Sequence, residues 1–214
     1  MTRRTYLISA WIRIWHWTNA LLVLVLGVTG MSLHFADPKL PLVEFSLAVR
    51  IHNIAGVALI AAYAIFVVAN IVSGNWWHFV PKPPGIAKRI FVQAKWYAFG
   101  IFRGDPHPHE PSEAEHFNAL QAVTYWNVMY LLMPVILITG LIYLYPEFAP
   151  DKLFGLDGLL PIAMVHYIGA AVILLFMVSH IYLGTMGPKV FKNGHTGVTQ
   201  KACISGWTSG PPAE

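Results

Sequence analysis

The chain contains a single cysteine, Cys203, among its 214 residues. One thiol cannot form an intramolecular disulfide, cannot supply the four thiolates of an iron–sulfur cluster, and cannot complete the C-x-x-C-H motif that attaches haem covalently. Any haem in this protein would therefore be held without a covalent link, as haem b. We expect Cys203 to lie in a cytoplasmic tail without a function of its own.

Charge is also scarce, since 11% of the residues are charged and 56% are hydrophobic, a composition atypical of soluble domains. Charged residues are absent from four long stretches, 14–36, 51–80, 117–146 and 158–188. Because about 20 apolar residues suffice to cross a bilayer, the sequence predicts an all-α integral membrane four-helix bundle. We expect a single domain, 1–214, with helices at about 14–36, 48–75, 117–145 and 159–187.

The positions of Lys and Arg predict the orientation in the membrane. Most of them lie in the N-terminal segment, in the loop at about 81–116 or in the tail, 188–214, and few lie elsewhere (Lys39, Arg50 and Lys152). The positive-inside rule then makes both termini and the long loop cytoplasmic. This topology, beside anionic membrane lipid, accounts for the net charge of +4, so we expect no nucleic-acid partner.

Four histidines lie within the charge-free stretches or at their ends. His166 and His180 are fourteen residues apart in the last stretch, which places them on nearly the same helix face, about 21 Å apart along the axis. In the predicted topology His16 lies at the cytoplasmic level of His180, and His52 lies at the outer level of His166. The four side chains therefore form two level-matched pairs.

Paired imidazoles between helices are typical of haem binding. Two neutral imidazoles bind opposite faces of the iron and leave no open position, which suits electron transfer rather than oxygen binding. We therefore expect two haems b, the inner held by His16 and His180 and the outer by His52 and His166. Two alternatives stay open: a haem-free membrane anchor, and a proton-coupled transporter, although the predicted spans contain neither carboxylates nor recognisable repeats.

Other residues near these pairs receive simpler interpretations. Gly30 follows His16 by fourteen residues, so it shares the face of His16 at the outer level, where a missing side chain would let a porphyrin approach the backbone. The remaining histidines fall at segment ends or in loops, and we expect them not to bind haem: His34, His78, His107, His109 and His195.

Several motifs resemble those of one family, the membrane dihaem cytochrome b subunits of nickel–iron hydrogenases, formate dehydrogenases and thiosulfate reductase-like complexes. The resemblance covers nearly the whole chain and implies a location in a prokaryotic cytoplasmic (inner) membrane. The motifs are Arg13-Ile-Trp-His16-Trp-Thr-Asn19, Val49-Arg50-Ile-His52, His116-Phe-Asn118-Ala-Leu-Gln121, Thr139-Gly140, the His166 to His180 spacing, and Asn193-Gly-His-Thr-Gly197.

The resemblance implies the same pairing of histidines and adds a menaquinone or ubiquinone site beside the inner haem. The polar groups for that quinone would be Asn118 and Gln121, three residues apart on one helix face, although they are also ordinary residues for a helix N-terminus. The family often has lysine where this chain has His116. Arg13 and Arg50 could neutralise haem propionates, while topology alone also explains Arg13.

The predicted cytoplasmic loop alternates basic and aromatic residues over 86–103, which is typical of a helix on the membrane surface. We expect this helix to cover the quinone pocket. The resulting function is electron transfer between the quinone pool and an extracytoplasmic partner, either an iron–sulfur subunit or a multihaem cytochrome c. No catalytic residue is evident, so substrate chemistry would belong to another subunit.

Overall fold

A computed structural model describes residues 10–36, 42–82, 84–109 and 117–185. Within these residues, four helices are long and apolar enough to cross a membrane, which confirms the predicted number of spans. They are α1 (Ala10–His34), α2 (Phe45–Val72), a third span (Ala119–Leu144) and α7 (Leu159–Thr185). His116 and the whole predicted tail, 188–214, including His195 and Cys203, lie outside the described residues.

Capping side chains account for where α2 and α7 begin. Glu44 accepts hydrogen bonds from the backbone N–H of Ser46 (2.9 Å) and Leu47 (2.8 Å), so α2 begins at Phe45 rather than at residue 48. The bond to Ser46 holds the pKa of this exposed Glu44 carboxyl below its usual range. Asp157 caps α7 by accepting the N–H of Leu159.

The third span is an α-helix interrupted by a π-helix. Helix α5 (Ala119–Asn127) runs into the π-helical segment Val128–Leu132, and α6 (Met133–Leu144) follows. Pro134 lies at the start of α6, and its ring would clash with the carbonyl of Tyr130 in an uninterrupted α-helix. The π-helical turn avoids that clash, a detail that the apolar run alone did not predict.

Between the second and third spans the chain is mostly helical. A 3₁₀ turn (Asn75–Phe79) follows Gly74, whose φ of 69° ends the preceding helix in the left-handed region. Helix α3 (Ile86–Lys95), a π-helical turn (Trp96–Gly100) and the short α4 (Ile101–Arg103) then form one helical stretch. Helix α3 packs on α5, and α5 also contacts the 3₁₀ turn.

The described residues belong to two compact units. The first contains residues 73–128 together with 10–13 at the start of α1 and 177–185 at the end of α7. The second contains 14–72 and 129–176. Parts of all four spans lie in the second unit, where α2 packs on α6. A short antiparallel hairpin, β1 (Lys152–Leu153) and β2 (Leu156–Asp157), precedes α7.

Polar and apolar side chains on the spans are distributed in the opposite way to those of a soluble protein. Ile54 and Val72 are 72% and 83% exposed, whereas Thr29 and Asn70 are 3% and 1% exposed. Exposing so much apolar surface to water would be unfavourable at about 25 cal/mol per Å². The distribution fits a lipid environment, in which polar groups find partners only inside the protein.

Candidate functional site

His52 and His166 face each other within the second unit. His52 lies in the second turn of α2 and His166 in the second turn of α7, and the centres of their rings are 6.5 Å apart with an interplanar angle of 73°. Imidazole nitrogens bind first-row metal ions at about 2.0 Å, so two imidazoles on opposite sides of one ion have ring centres roughly 6.3 Å apart. The observed spacing therefore fits a single iron between the two rings.

The His52 imidazole is bonded to a threonine on the neighbouring helix. The Thr29 hydroxyl oxygen lies 2.9 Å from Nδ1 of His52 and 2.8 Å from the carbonyl oxygen of Val25. Because a carbonyl can only accept, the single hydroxyl proton of Thr29 is donated to Val25 and Thr29 accepts from His52. The Leu26 carbonyl is a further acceptor for this imidazole.

An equivalent arrangement surrounds His166. The Thr139 hydroxyl lies 3.1 Å from Nδ1 of His166 and 2.8 Å from the carbonyl oxygen of Val135, and the Ile136 carbonyl is again a further acceptor. Each imidazole therefore carries its proton on Nδ1. The lone pair of Nε2 is left available on both rings, as metal binding requires.

Glycines follow both threonines and contact the same imidazoles. A Cβ atom at Gly30 would lie 3.4 Å from Cε1 of His52, and one at Gly140 would lie 3.0 Å from Cε1 of His166. A side chain at Gly140 would crowd the ring that Thr139 holds, whereas a Cβ at Gly30 would be in ordinary van der Waals contact with the ring that Thr29 holds. Gly30 thus lies against His52, one of the two histidines expected from the sequence to share its level.

The other predicted pair is divided between the units. His16 lies in the part of α1 that belongs to the second unit and makes an edge contact with Trp17, with ring centres 5.4 Å apart. His180 lies in the first unit, where its ring centre is 6.1 Å from that of Tyr125. The pairing of His16 with His180 stays a prediction.

The two arginines expected near propionates differ in exposure. Arg50 is exposed two residues before His52 and interacts electrostatically with Glu44. Arg13 is partly buried in the first turn of α1. Their role beside haem propionates stays a prediction.

Among the histidines expected not to bind haem, His34 stacks on Tyr167 with ring centres 4.2 Å apart.

Asn118 and Gln121 form a capping box at the start of α5. The backbone N–H of Gln121 donates to Oδ1 of Asn118 at 2.8 Å, and the backbone N–H of Asn118 donates to Oε1 of Gln121 at 3.2 Å. The Asn118 amide also donates to the Tyr97 hydroxyl at 3.2 Å. Both amides therefore have a structural role, and a quinone contact stays a prediction.

A pocket of about 340 Å³ lies next to this cap in the first unit, and its polar lining includes Lys88, Arg89, Gln93, His109 and Asn118. Gln93 and Asn118 are each 2% exposed. Nearby, burial raises the pKa of Tyr97, although its hydrogen bonds to Asn118 and Gln93 partly offset this effect. Tyr97 is therefore a neutral hydroxyl at physiological pH.

A polar and aromatic cluster in the second unit was not anticipated from the sequence. The Asn70 amide donates to the Tyr130 hydroxyl at 2.6 Å, and the Tyr63 hydroxyl donates to the carbonyl of Met129 in the π-helix at 2.7 Å. Close by, Phe66 stacks on Trp15 with ring centres 4.0 Å apart. In the sequence, Pro134 is the feature that indicates an irregular helix beside this cluster.

Comparison with known proteins assigns the family. The profile of the family described as prokaryotic cytochrome b561 matches residues 7–196. The chain belongs to this family. It is 38% identical to a protein named as a cytochrome, YdhU, from Escherichia coli strain K12, over 86% of this chain and 69% of the relative.

Two other relatives extend the comparison. A protein named as a Ni/Fe-hydrogenase B-type cytochrome subunit of Rhodobacter capsulatus is 28% identical over 84% of this chain and 74% of its own length. One named as the protein-methionine-sulfoxide reductase subunit YedZ1 of Azospira oryzae is 26% identical over 88% of this chain and 96% of its own length. The chain is therefore a b-type cytochrome, a multi-pass membrane subunit of an oxidoreductase-type complex that takes part in electron transport.

The glycine contacts generate a prediction for haem binding. Gly140→Val should reduce the haem content of the purified protein by about half, because its Cβ would displace the His166 ring from the position in which Nε2 can bind iron. Haem per chain, measured as the pyridine haemochrome, checks this. Gly56→Val is the matched control, since a Cβ there meets nothing within 4 Å. Equal haem contents in the two variants would contradict the assignment.

Proposed function

We propose that this protein binds two haems b and transfers electrons between the quinone pool and an extracytoplasmic redox partner. The observation that carries the proposal is the pair formed by His52 and His166, whose ring centres are 6.5 Å apart and whose Nδ1 atoms are both bonded to threonine hydroxyls. When bound, haem accepts and releases one electron at a time. The chain has to hold the iron, exclude water and admit the two redox partners.

Coordination by two imidazoles favours electron transfer over oxygen chemistry. His52 and His166 would hold the iron through their Nε2 atoms, and a haem bound by two imidazoles would supply electron transfer without a vacant position for oxygen or another substrate. The threonines orient the rings so that neither imidazole has to change its tautomer or rotate when an electron arrives. The apolar side chains of the spans keep bulk water away from this site.

The second haem is proposed from the sequence. His180 follows His166 by fourteen residues within the continuous helix α7, which corresponds to about 21 Å along the axis. One helix can therefore provide a ligand at each of two levels of the membrane. His16, near the start of α1, is the proposed partner of His180, and the family membership supports haem as the bound group.

The quinone site is proposed at the start of the third span, in the first unit. Asn118 lines the pocket beside α3, and Gln121 is one turn further along the same helix. Their amide groups, together with the neutral Tyr97 hydroxyl, offer hydrogen-bond donors to the carbonyl groups of a quinone. Helix α3 packs on α5 at this end of the third span, and the helical stretch 86–103 would form the cover of the pocket.

The partner is proposed to be a catalytic or electron-carrying subunit with an iron–sulfur cluster or several c-type haems. Relatives of this chain are named as subunits of a hydrogenase and of a reductase, which supports the existence of such a partner. The hairpin before α7 ends directly at the helix that carries His166. A partner bound there would be separated from the proposed outer haem by about two helical turns, roughly 11 Å.

Histidine substitutions test the number and pairing of the haems. We expect wild-type protein to contain two haems b per chain and His52→Ala and His166→Ala to lack the same one, because losing either ligand opens that site. His16→Ala and His180→Ala should both lack the other. Reduced-minus-oxidised spectra with haem quantification distinguish these patterns. His34→Ala, which removes a ring stacked on Tyr167, should keep both haems. Colourless wild-type protein would refute the proposal.

Thiol labelling tests the proposed orientation. Cys203, the single cysteine, should react with a membrane-impermeant maleimide only after the cytoplasmic membrane is permeabilised. In a Cys203→Ser background, Lys152→Cys in the hairpin should react in intact spheroplasts and Lys88→Cys in α3 should not. The reverse pattern of labelling would overturn the orientation without affecting the haem assignment.

Substitution of Gln121 tests the quinone site. Gln121→Leu should slow reduction of haem by a soluble quinol by about tenfold, as the loss of a hydrogen bond worth roughly 1.4 kcal/mol would do. Haem content and reduction by dithionite should not change. Asn127→Leu is the matched control, because Asn127 is an exposed amide on the same helix. Quinol kinetics that are unchanged in Gln121→Leu would rule out this position.

A further inference from the structure

We infer that Thr29 and Thr139 are positioning residues that fix the tautomer and the donor strength of the two imidazoles that bind the proposed outer haem. The inference rests on the proposed coordination of iron by His52 and His166, and it assigns a redox role to two side chains that do not touch the iron. Their hydroxyls accept from Nδ1 of these histidines at 2.9 and 3.1 Å.

The two threonines occupy equivalent positions in two helix pairs. In each pair the threonine lies on the first helix and is followed by a glycine, and the histidine lies on the next helix, as α1 precedes α2 and α6 precedes α7. Each hydroxyl is 2.8 Å from the carbonyl four residues earlier in its own helix. The same hydrogen-bonded chain, carbonyl to hydroxyl to imidazole, therefore occurs on both sides of the site.

Packing alone does not require a hydroxyl at these positions. Thr29 and Thr139 are 3% and 9% exposed, and valine has nearly the same shape without a polar group to be buried. A threonine that only donated to its own helix would leave both of its lone pairs unused. Here each hydroxyl donates its proton to a carbonyl and uses one lone pair to accept from an imidazole.

This chain of hydrogen bonds has an electronic consequence. Donation of the hydroxyl proton to a carbonyl polarises the oxygen and makes it a better acceptor for Nδ1–H. A stronger acceptor at Nδ1 raises the basicity of Nε2, which stabilises oxidised, more positive iron and lowers the reduction potential. Because both axial imidazoles have this acceptor, the two contributions act in the same direction.

Isosteric substitutions provide the test, in the full-length protein with its haems. In Thr29→Val and Thr139→Val we expect the ratio of reduced to oxidised outer haem at a fixed potential to rise about tenfold, which corresponds to a midpoint shift of about 59 mV for one electron. The low-spin electron paramagnetic resonance signal of the oxidised outer haem should shift as well. Thr29→Ser and Thr139→Ser should keep wild-type values, because serine retains the hydroxyl.

Two internal controls accompany this experiment. The haem proposed for His16 and His180 should titrate as in wild type in every variant. Thr185→Val should also change nothing, because the exposed Thr185 hydroxyl donates to its own helix, to the carbonyl of Tyr182 at 2.7 Å.

The outcomes separate this inference from the proposed function. Unchanged potentials and resonance signals in both valine variants, or equal shifts in serine and valine variants, would overturn the inference while leaving haem binding intact. A valine variant could lose the outer haem altogether. In that case, a serine variant that keeps this haem at its wild-type potential supports the role of the hydroxyl. A serine variant that also loses the haem refutes that role. A wild-type protein without haem would instead refute the proposed function.

Discussion

The hydrogen bond between an imidazole and a threonine on the neighbouring helix is the interaction on which the site at His52 and His166 depends. An imidazole has two nitrogens, and a metal can use only the one that carries no proton. In lipid no water is available to satisfy the other nitrogen or to exchange its proton. Thr29 and Thr139 provide that partner from within the protein, and so the orientation of both rings follows from the packing of α1 on α2 and of α6 on α7.

The same constraint governs the rest of the second unit. The π-helical turn required by Pro134 changes the hydrogen bonding of the third span, and the Tyr63 hydroxyl donates to the Met129 carbonyl at this point. Asn70 is buried, and its amide bonds to the Tyr130 hydroxyl, so α2 is joined to the third span by polar contacts. In a membrane, where apolar surfaces gain little by meeting each other, such contacts and close packing decide which helices adjoin.

The features that could be predicted from the sequence are those that involve a large free-energy cost of placing a polar group in lipid. A charge inside lipid is unfavourable enough that charge-free runs revealed all four spans, and an intramembrane histidine is unusual enough to identify His52 and His166 as candidates. Helix ends were less predictable because they depend on single side chains. With Glu44 as its cap, α2 begins three residues before the expected position. With Asn118 as its cap, α5 begins two residues after the expected position. The third span contains a π-helix because of one proline that an apolar window does not register.

The roles of Thr29 and Thr139 could not be derived from the sequence, for a different reason. A threonine in a membrane helix commonly bonds the carbonyl one turn earlier, so its presence does not indicate a second partner. That partner is 23 residues away from Thr29 and 27 residues away from Thr139, on another helix. The repeated Thr-Gly pair was visible in the chain, but only the packing of helices brings each pair against a histidine.

The equivalence of the two helix pairs bears on what the site can do. A haem with different axial environments on its two faces can favour loss of the weaker ligand and thereby acquire an open position for chemistry. Here both imidazoles have the same tautomer, the same class of acceptor and a glycine against Cε1. Neither side is the weaker one, so the iron would keep both ligands in both oxidation states. Little rearrangement then accompanies each electron, and this favours a carrier of electrons over a site of oxygen or substrate chemistry.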